Sequence, residues 1–191
     1  MPLYLLDINK ELPPPYGYIC LNWGYVYCHF PLSVRDDRVV YMKQKLSAGA
    51  GTYIVIAERK RFLAAWSRQT KKEPQLTQGD ENAWRKDYKF HEAEDGFSEG
   101  EDNPVPLSEP TCSYILEGGL PAPVISFTNG ITRTIWLLAN DVTLFPVLVY
   151  SLREAQLMQR GVGAFGYEPV SVATLYAKYA PMVLPGYRTQ P

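Results

Sequence analysis

Only two histidines and three cysteines occur among the 191 residues, and their positions leave little room for metal or thiol chemistry. Cys20, Cys28 and Cys112 cannot pair completely, and none stands in a Cys-x-x-Cys arrangement. Each therefore reads as a buried thiol in or beside a strand. His29 and His91 are too few and too scattered for a zinc site. No apolar run approaches the roughly 20 residues that span a bilayer, and the opening Met-Pro-Leu-Tyr-Leu-Leu lacks a basic stretch and breaks at Asp7. A cytoplasmic protein without membrane insertion is expected. Charge of one sign is lacking too: 19 Lys and Arg against 20 Asp and Glu give a net charge of −1, which argues against a dedicated nucleic-acid coat protein. With 46% hydrophobic residues the chain is not intrinsically disordered, and its length suits a single domain over 1–191.

What is present is an uneven distribution of charge. From Arg35 to Lys72 basic residues dominate, with Arg59, Lys60, Arg61 and Arg68 close together. From Asp80 to Glu109 acidic residues dominate. A chain of this kind can present a basic face to DNA while staying near neutral overall.

The chain is organised around Val124–Asn140 and the strand that follows at 145–150. Val124 to Thr128 is a β-branched and aromatic run entering Asn129-Gly130, the strongest turn signal in the sequence. Helical spacing of Ile131, Ile135, Leu138 and Ala139 begins directly afterwards. A backbone passing from strand to helix over a glycine leaves N–H donors free at the positive end of the helix dipole. Those donors, the Thr132 and Thr134 hydroxyls and the Arg133 guanidinium suit a phosphate or another anion. On spacing alone the same residues also fit a tight turn followed by a solvated arginine.

Asn129-Gly130-Ile131-Thr132-Arg133, with Trp136-Leu137-Leu138 and Phe145-Pro146-Val147 behind it, resembles the Gly-x-x-Arg box of the ParB/sulfiredoxin superfamily. Phe127-Thr128-Asn129-Gly130 with Arg133-Thr134 is closer to one branch, the plasmid fertility-inhibition factors. The clear match covers 103–150. Ile131 stands where sulfiredoxin carries its cysteine, so sulfiredoxin chemistry is excluded. Ile131 and Thr132 also replace the Arg and His common in the superfamily, which lowers the expected phosphate affinity.

The resemblance implies an inhibitor of conjugative DNA transfer, including transfer of oncogenic DNA into plant cells by a type IV secretion system. It implies hydrolysis of ATP and of DNA with Mg²⁺, with Arg133 and Glu109 catalytic. Asn129, Gly130, Thr132, Arg133 and Thr134 would hold phosphate, Glu109 would serve a metal, and Arg59, Lys60, Arg61 and Arg68 would contact DNA. The rival class is a non-enzymatic blocker of the coupling ATPase or the secretion channel, working at the inner face of the membrane. A sequence-specific DNA regulator is disfavoured, because no helix-turn-helix spacing is found.

A second stretch, Val55-Ile56-Ala57-Glu58-Arg59-Lys60-Arg61, resembles the same box in chromosome-partition proteins, but Glu58 stands where the glycine belongs. A carboxylate there repels phosphate, so this stretch is expected to be the entry to a basic amphipathic helix over 59–69.

The remaining elements are expected as follows. Met1 to Tyr16 ends in a stiff spacer at Pro13-Pro14-Pro15, and 18–21 with 25–30 form a hairpin. A helix carries Val39, Val40 and Leu46, and a strand covers 53–57. A short helix is expected around Trp84 and Tyr88 in an otherwise polar, mobile segment 70–103, whose acidic run from Glu92 to Asp102 forms a loop. Short strands at 105–107 and 112–116 are interrupted by Pro110. Ser151-x-x-Glu154 starts a helix ending at Gly161, and a last short helix covers 171–179. Together these give an α+β domain, a small mixed β-sheet with helices packed against it.

Overall fold

The computed structural model describes residues 17–184; the expected proline spacer lies outside them. In chain order the strands and helices are β1 (Tyr18–Asn22), β2 (Tyr25–Ser33), β3 (Val39–Lys45), β4 (Tyr53–Glu58), α1 (Arg59–Trp66), α2 (Pro74–Thr77), α3 (Glu81–Arg85) and α4 (Phe90–Ser98). There follow β5 (Val105–Pro106), β6 (Glu109–Glu117), β7 (Leu120–Asn129), α5 (Ile131–Ala139), β8 (Leu144–Val149), α6 (Leu152–Val162), β9 (Val170–Ser171) and α7 (Val172–Val183).

The α+β class is as expected, but the single mixed sheet is replaced by three small ones: β1-β2-β3-β5, β8-β4-β9 and the β6–β7 hairpin. Backbone bonds stitch them together around Ser108. Leu107 N–H donates to Lys43 O at 3.2 Å, and Leu148 N–H donates to Ser108 O at 2.9 Å. One continuous apolar cluster runs from Ile19 to Val183 beneath the sheets and helices.

Four expectations are corrected. The segment carrying Val39, Val40 and Leu46 is strand β3, paired antiparallel with β2 in unbroken register from Tyr27↔Lys45 to Ser33↔Val39. Val40 and Met42 point into the core while Val39 is exposed, the period-2 pattern of a strand, so long-range pairing overrides the local helical spacing. The supposed acidic loop is helix α4. Phe90, Ala93 and Phe97 occupy one helical side and are buried, and the Phe97 ring stacks on Trp136 at 4.2 Å. Glu94 accepts the Trp136 indole N–H at 2.6 Å, so even its charged side is tied to α5. Segment 70–103 therefore holds three helices, and Tyr88 lies outside all of them. Pro110, expected to interrupt a strand, sits inside β6 at a register irregularity, where its missing N–H does least harm.

Burial also organises the first hairpin. His29 lies between Cys20 Sγ, 3.1 Å from Nε2, and the Tyr18 hydroxyl, 3.4 Å from Nδ1, while Tyr18 donates to Glu101 at 2.6 Å. Burial, with Lys43 nearby, lowers the His29 pKa from 6.5 to about 4. The unfolded chain thus takes up this proton at a higher pH than the folded one, so stability falls as pH drops from 6.5 toward about 4. Urea midpoints across that window are expected to decline, and His29→Gln is expected to flatten the decline.

Helix α5 is held at its C-terminal end by three arginines. The Arg59 guanidinium donates to Leu138 O at 3.0 Å, the Arg85 guanidinium to Ala139 O at 3.3 Å and the Arg35 backbone N–H to Asn140 O at 3.0 Å. Positive groups at the negative end of a helix dipole are the favourable arrangement. Arg35 then bridges Glu81 at 2.9 Å and Asp141 at 2.6 Å, fixing α3 to the same end. The opposite end of α5 is left facing the surface clefts.

Candidate functional site

Strand β7 ends at Asn129, and the chain turns into α5 through Gly130 at φ 88°. This is the left-handed region, open to glycine and strained for other residues. No side chain caps α5 and its first turn carries no acid, so its leading N–H groups keep their orphan character. The Arg133 side chain folds back over the turn, so that a Cβ at Gly130 would lie 2.7 Å from an Arg133 terminal nitrogen and 2.8 Å from Ser108 Cα.

Two polar atoms packed here have no partner among the described residues: Arg133 Nε and the hydroxyl of the fully buried Ser108. No carboxylate of the described residues lies within ion-pair distance of Arg133. Burial pulls the Arg133 pKa below its usual value and Glu109 opposes that shift, as expected for a half-buried cation that lacks an anion.

Glu109 opens β6 directly opposite Asn129. The Tyr150 hydroxyl donates to its Oε2. That bond holds the Tyr150 pKa up at about 12. Ser108 and Tyr150 were not singled out by sequence, since neither belongs to a local motif and strand pairing alone brings them here.

Among the expected phosphate-binding residues, Asn129, Gly130, Thr132 and Arg133 line one cleft of about 300 Å³ that Lys89 and Glu92 also line. Thr134 is a correction. It is fully buried and its hydroxyl donates to Gly130 O at 3.1 Å, the back-bonding of a residue one turn into the helix.

Of the four residues expected to contact DNA, Arg59, Lys60 and Arg61 sit on α1 and Arg68 lies just beyond its end, but three guanidiniums are already engaged within the fold. Arg59 reaches Leu138 O and Asp141, Arg61 reaches Arg160 O at 2.6 Å and Gly163 O, and Arg68 reaches Glu117 at 2.9 Å. Lys60 is exposed.

Helix α1 supplies a control for α5. The Glu58 carboxylate accepts from Lys60 N at 3.0 Å and Arg61 N at 2.9 Å, so this helix carries its own anion where α5 carries none. Glu58→Ala is expected to cost about 1 kcal/mol, the usual size of a lost N-cap, measured by urea denaturation.

The family model described as plasmid fertility inhibition factor matches residues 54–163, from β4 through α6, and so includes both turn boxes. Protein osa of Shigella flexneri is 29% identical over 153 residues, covering 80% of this chain and 76% of that protein. The crystal structure of oncogenic suppression activity protein, a plasmid fertility inhibition factor solved as a gold(I) cyanide derivative, superposes with a TM-score of 0.71 at 27% identity. That match covers 92% of this chain and 88% of the other. The chain belongs to the plasmid fertility inhibition factor family.

Proposed function

We propose that this fertility inhibition factor blocks DNA transfer by binding phosphates at the N-terminus of α5 and hydrolysing ATP and transferred DNA there. In this reading Gly130 to Arg133 is a phosphate-binding box of the ParB/sulfiredoxin kind. The observation that carries it is the unpartnered, half-buried Arg133 over an uncapped helix start. Backbone N–H groups and Thr132 bind phosphate oxygens, Arg133 neutralises the charge that builds in the transition state, and Glu109, held by Tyr150, is the carboxylate that would serve a metal.

Among the described residues no group of three His, Cys, Asp or Glu side chains gathers to hold a metal. One carboxylate with phosphate oxygens still fits Mg²⁺, which keeps several waters and uses few protein ligands. Glu109 would hold it, and the ion would supply charge neutralisation on the phosphates. The test is hydrolysis of ATP and of single- and double-stranded DNA by the purified chain with Mg²⁺, beside a folded Arg133→Ala variant. Equal activity in the two, or none in either, overturns the reading.

One observation favours the rival, a blocker that docks on the coupling ATPase of the secretion system. The β6–β7 hairpin exposes Leu116 at 77% and Leu120 at 71%, with Ile115 beside them, an apolar tip that contributes nothing to the core. Leu116→Ser with Leu120→Ser should leave stability within about 0.5 kcal/mol. If inhibition in a mating assay is then lost while hydrolysis persists, docking is the mechanism.

A further inference from the structure

The basic stretch from Arg35 to Lys72 is not wholly spent inside the fold. Lys43 and Lys45 stand on β3, and neither makes an ion pair among the described residues. Their strand pairs with β2 so that Lys45 faces Tyr27 and Lys43 faces His29, while β1 sets Cys20 beside Tyr27 and Asn22 beside Tyr25. Residues paired across an antiparallel sheet share a face, and successive residues alternate between faces. Ile19, Val26, Cys28, Phe30 and Met42 turn into the core, so Tyr25, Tyr27, Lys43 and Lys45 turn to the outer face.

That face interleaves rings and cations. Lys45 Nζ lies 3.3 Å from the centre of the Tyr25 ring, and Lys43 Nζ lies 5.9 Å from that of Tyr27. Lys43 also donates to Asn103 Oδ1 at 3.0 Å, a neutral partner that leaves its charge unanswered. Tyr25 is 51% exposed, and Tyr27 is half-buried. Glu101 meets the same face at Tyr18, toward the other end of β1 from the turn.

Trp23, in the turn between β1 and β2, is 88% exposed and held at φ 49°, with Gly24 following at φ 78°. A hairpin turn with both central residues at positive φ favours asparagine or aspartate before the glycine, and a bulky side chain there is strained. Tryptophan is therefore unfavourable on two counts, backbone strain and apolar surface left in water. Folding does not account for it.

None of these residues lines a cleft at the start of α5, so whatever they bind is met by an open surface. A protein partner is the poorer fit, because lysine is depleted at protein interfaces and here a lysine stands at each ring. Rings on an open sheet face with cations between them suit a single-stranded nucleic acid, whose bases are free to stack and whose phosphates carry the opposite charge. We infer that the outer face of β1–β3, with the Trp23 turn, is a stacking platform for single-stranded nucleic acid, separate from the α5 turn. Tyr25 and Tyr27 lie two residues apart, about 7 Å along β2, and each stacks one base. Lys45 leaves the Tyr25 ring for a backbone phosphate as the base takes its place, and Trp23 extends the stack past the turn. The platform holds a strand by its bases and does not rest on the phosphate reading of α5.

Fluorescence anisotropy tests this with the full chain in EDTA and two labelled DNA strands of equal length, one of thymidines and one abasic. Wild type is expected to bind the thymidine strand about tenfold or more tightly than the abasic one, the size of one base stacking on an aromatic ring. Trp23→Asn combined with Tyr25→Leu, checked for folding by circular dichroism, is expected to bring the two strands level. Lys45→Gln is expected to lower the slope of log K against log salt by about 0.7, the loss of one phosphate contact on a single strand. Arg133→Ala is expected to keep the preference for bases, because it alters only the α5 turn. Trp23→Asn alone should keep or raise the urea midpoint, since asparagine suits the turn. Equal binding of the two strands by wild type, binding of neither, or a preference that survives the double variant overturns the platform. So does a fall in the midpoint of Trp23→Asn, which would make the tryptophan structural. If the double variant loses inhibition in a mating assay while its preference for bases is unchanged, the face serves a protein partner and the platform falls.

Discussion

Arg133→Ala is expected to lower hydrolysis of ATP and DNA by about 10²- to 10³-fold, the loss typical of removing one preorganised group that stabilises a transition state. Its signature is loss of activity without loss of stability. Arg133 is half-buried and makes no ion pair among the described residues, and its Nε has no partner. Removing a desolvated, uncompensated charge does not cost folding energy, and it can raise stability. A purely structural arginine, such as Arg35 with its bonds to Glu81 and Asp141, behaves in the opposite way. Arg133→Lys should recover only a small part of the activity, because an ammonium keeps the charge but loses the planar fork that grips two phosphate oxygens. Steady-state rates beside urea midpoints for the three proteins check this; loss of stability in parallel with activity would make Arg133 a structural residue.

Gly130→Ala is expected to be strongly destabilising. Its φ of 88° is strained for alanine, and the added Cβ would stand 2.8 Å from Ser108 Cα, a backbone atom that cannot swing away. Ser108 is pinned by the bond from Leu148 N–H, so relief of the clash must move β8 or α5. Strain and overpacking together cost about 2–4 kcal/mol. Gly118, at φ 58° in the hairpin turn, has open space around it, so Gly118→Ala carries the strain alone and should cost about 1 kcal/mol. Thermal midpoints of the two variants check the difference, and equal losses would mean that the close approach of Ser108 is not rigid.

The strand, glycine turn and helix at the site were legible because every signal there is local: a β-branched run, Asn129-Gly130, and apolar spacing of period 3.6 behind them. Glu58 was legible as the residue that disqualifies the first box, and the structure shows how, with its carboxylate bonded to the helix donors. Strand β3 was not legible. Val39, Val40 and Leu46 fit a helix about as well as a strand, and the seven-pair register with β2 decides between them. Helix α4 was hidden by its acids, although Phe90, Ala93 and Phe97 carry a helical pattern. Ser108 and Tyr150 reach the site through the pairing of separate strands, and the arginines of α1 find their carbonyl partners up to 102 residues away. Sequence showed the basic residues but could not show that their charges are answered inside the fold.

The central claim is that the first turn of α5 binds phosphate and the first turn of α1 does not. Backbone amide ¹H–¹⁵N shifts, followed as inorganic triphosphate is added to the full chain, test it most directly. The account predicts saturable shifts at Gly130, Ile131, Thr132 and Arg133, and none at Lys60 and Arg61, whose N–H groups already bond the Glu58 carboxylate. Shifts confined to α1, or no shift at the start of α5 at millimolar triphosphate, would contradict it.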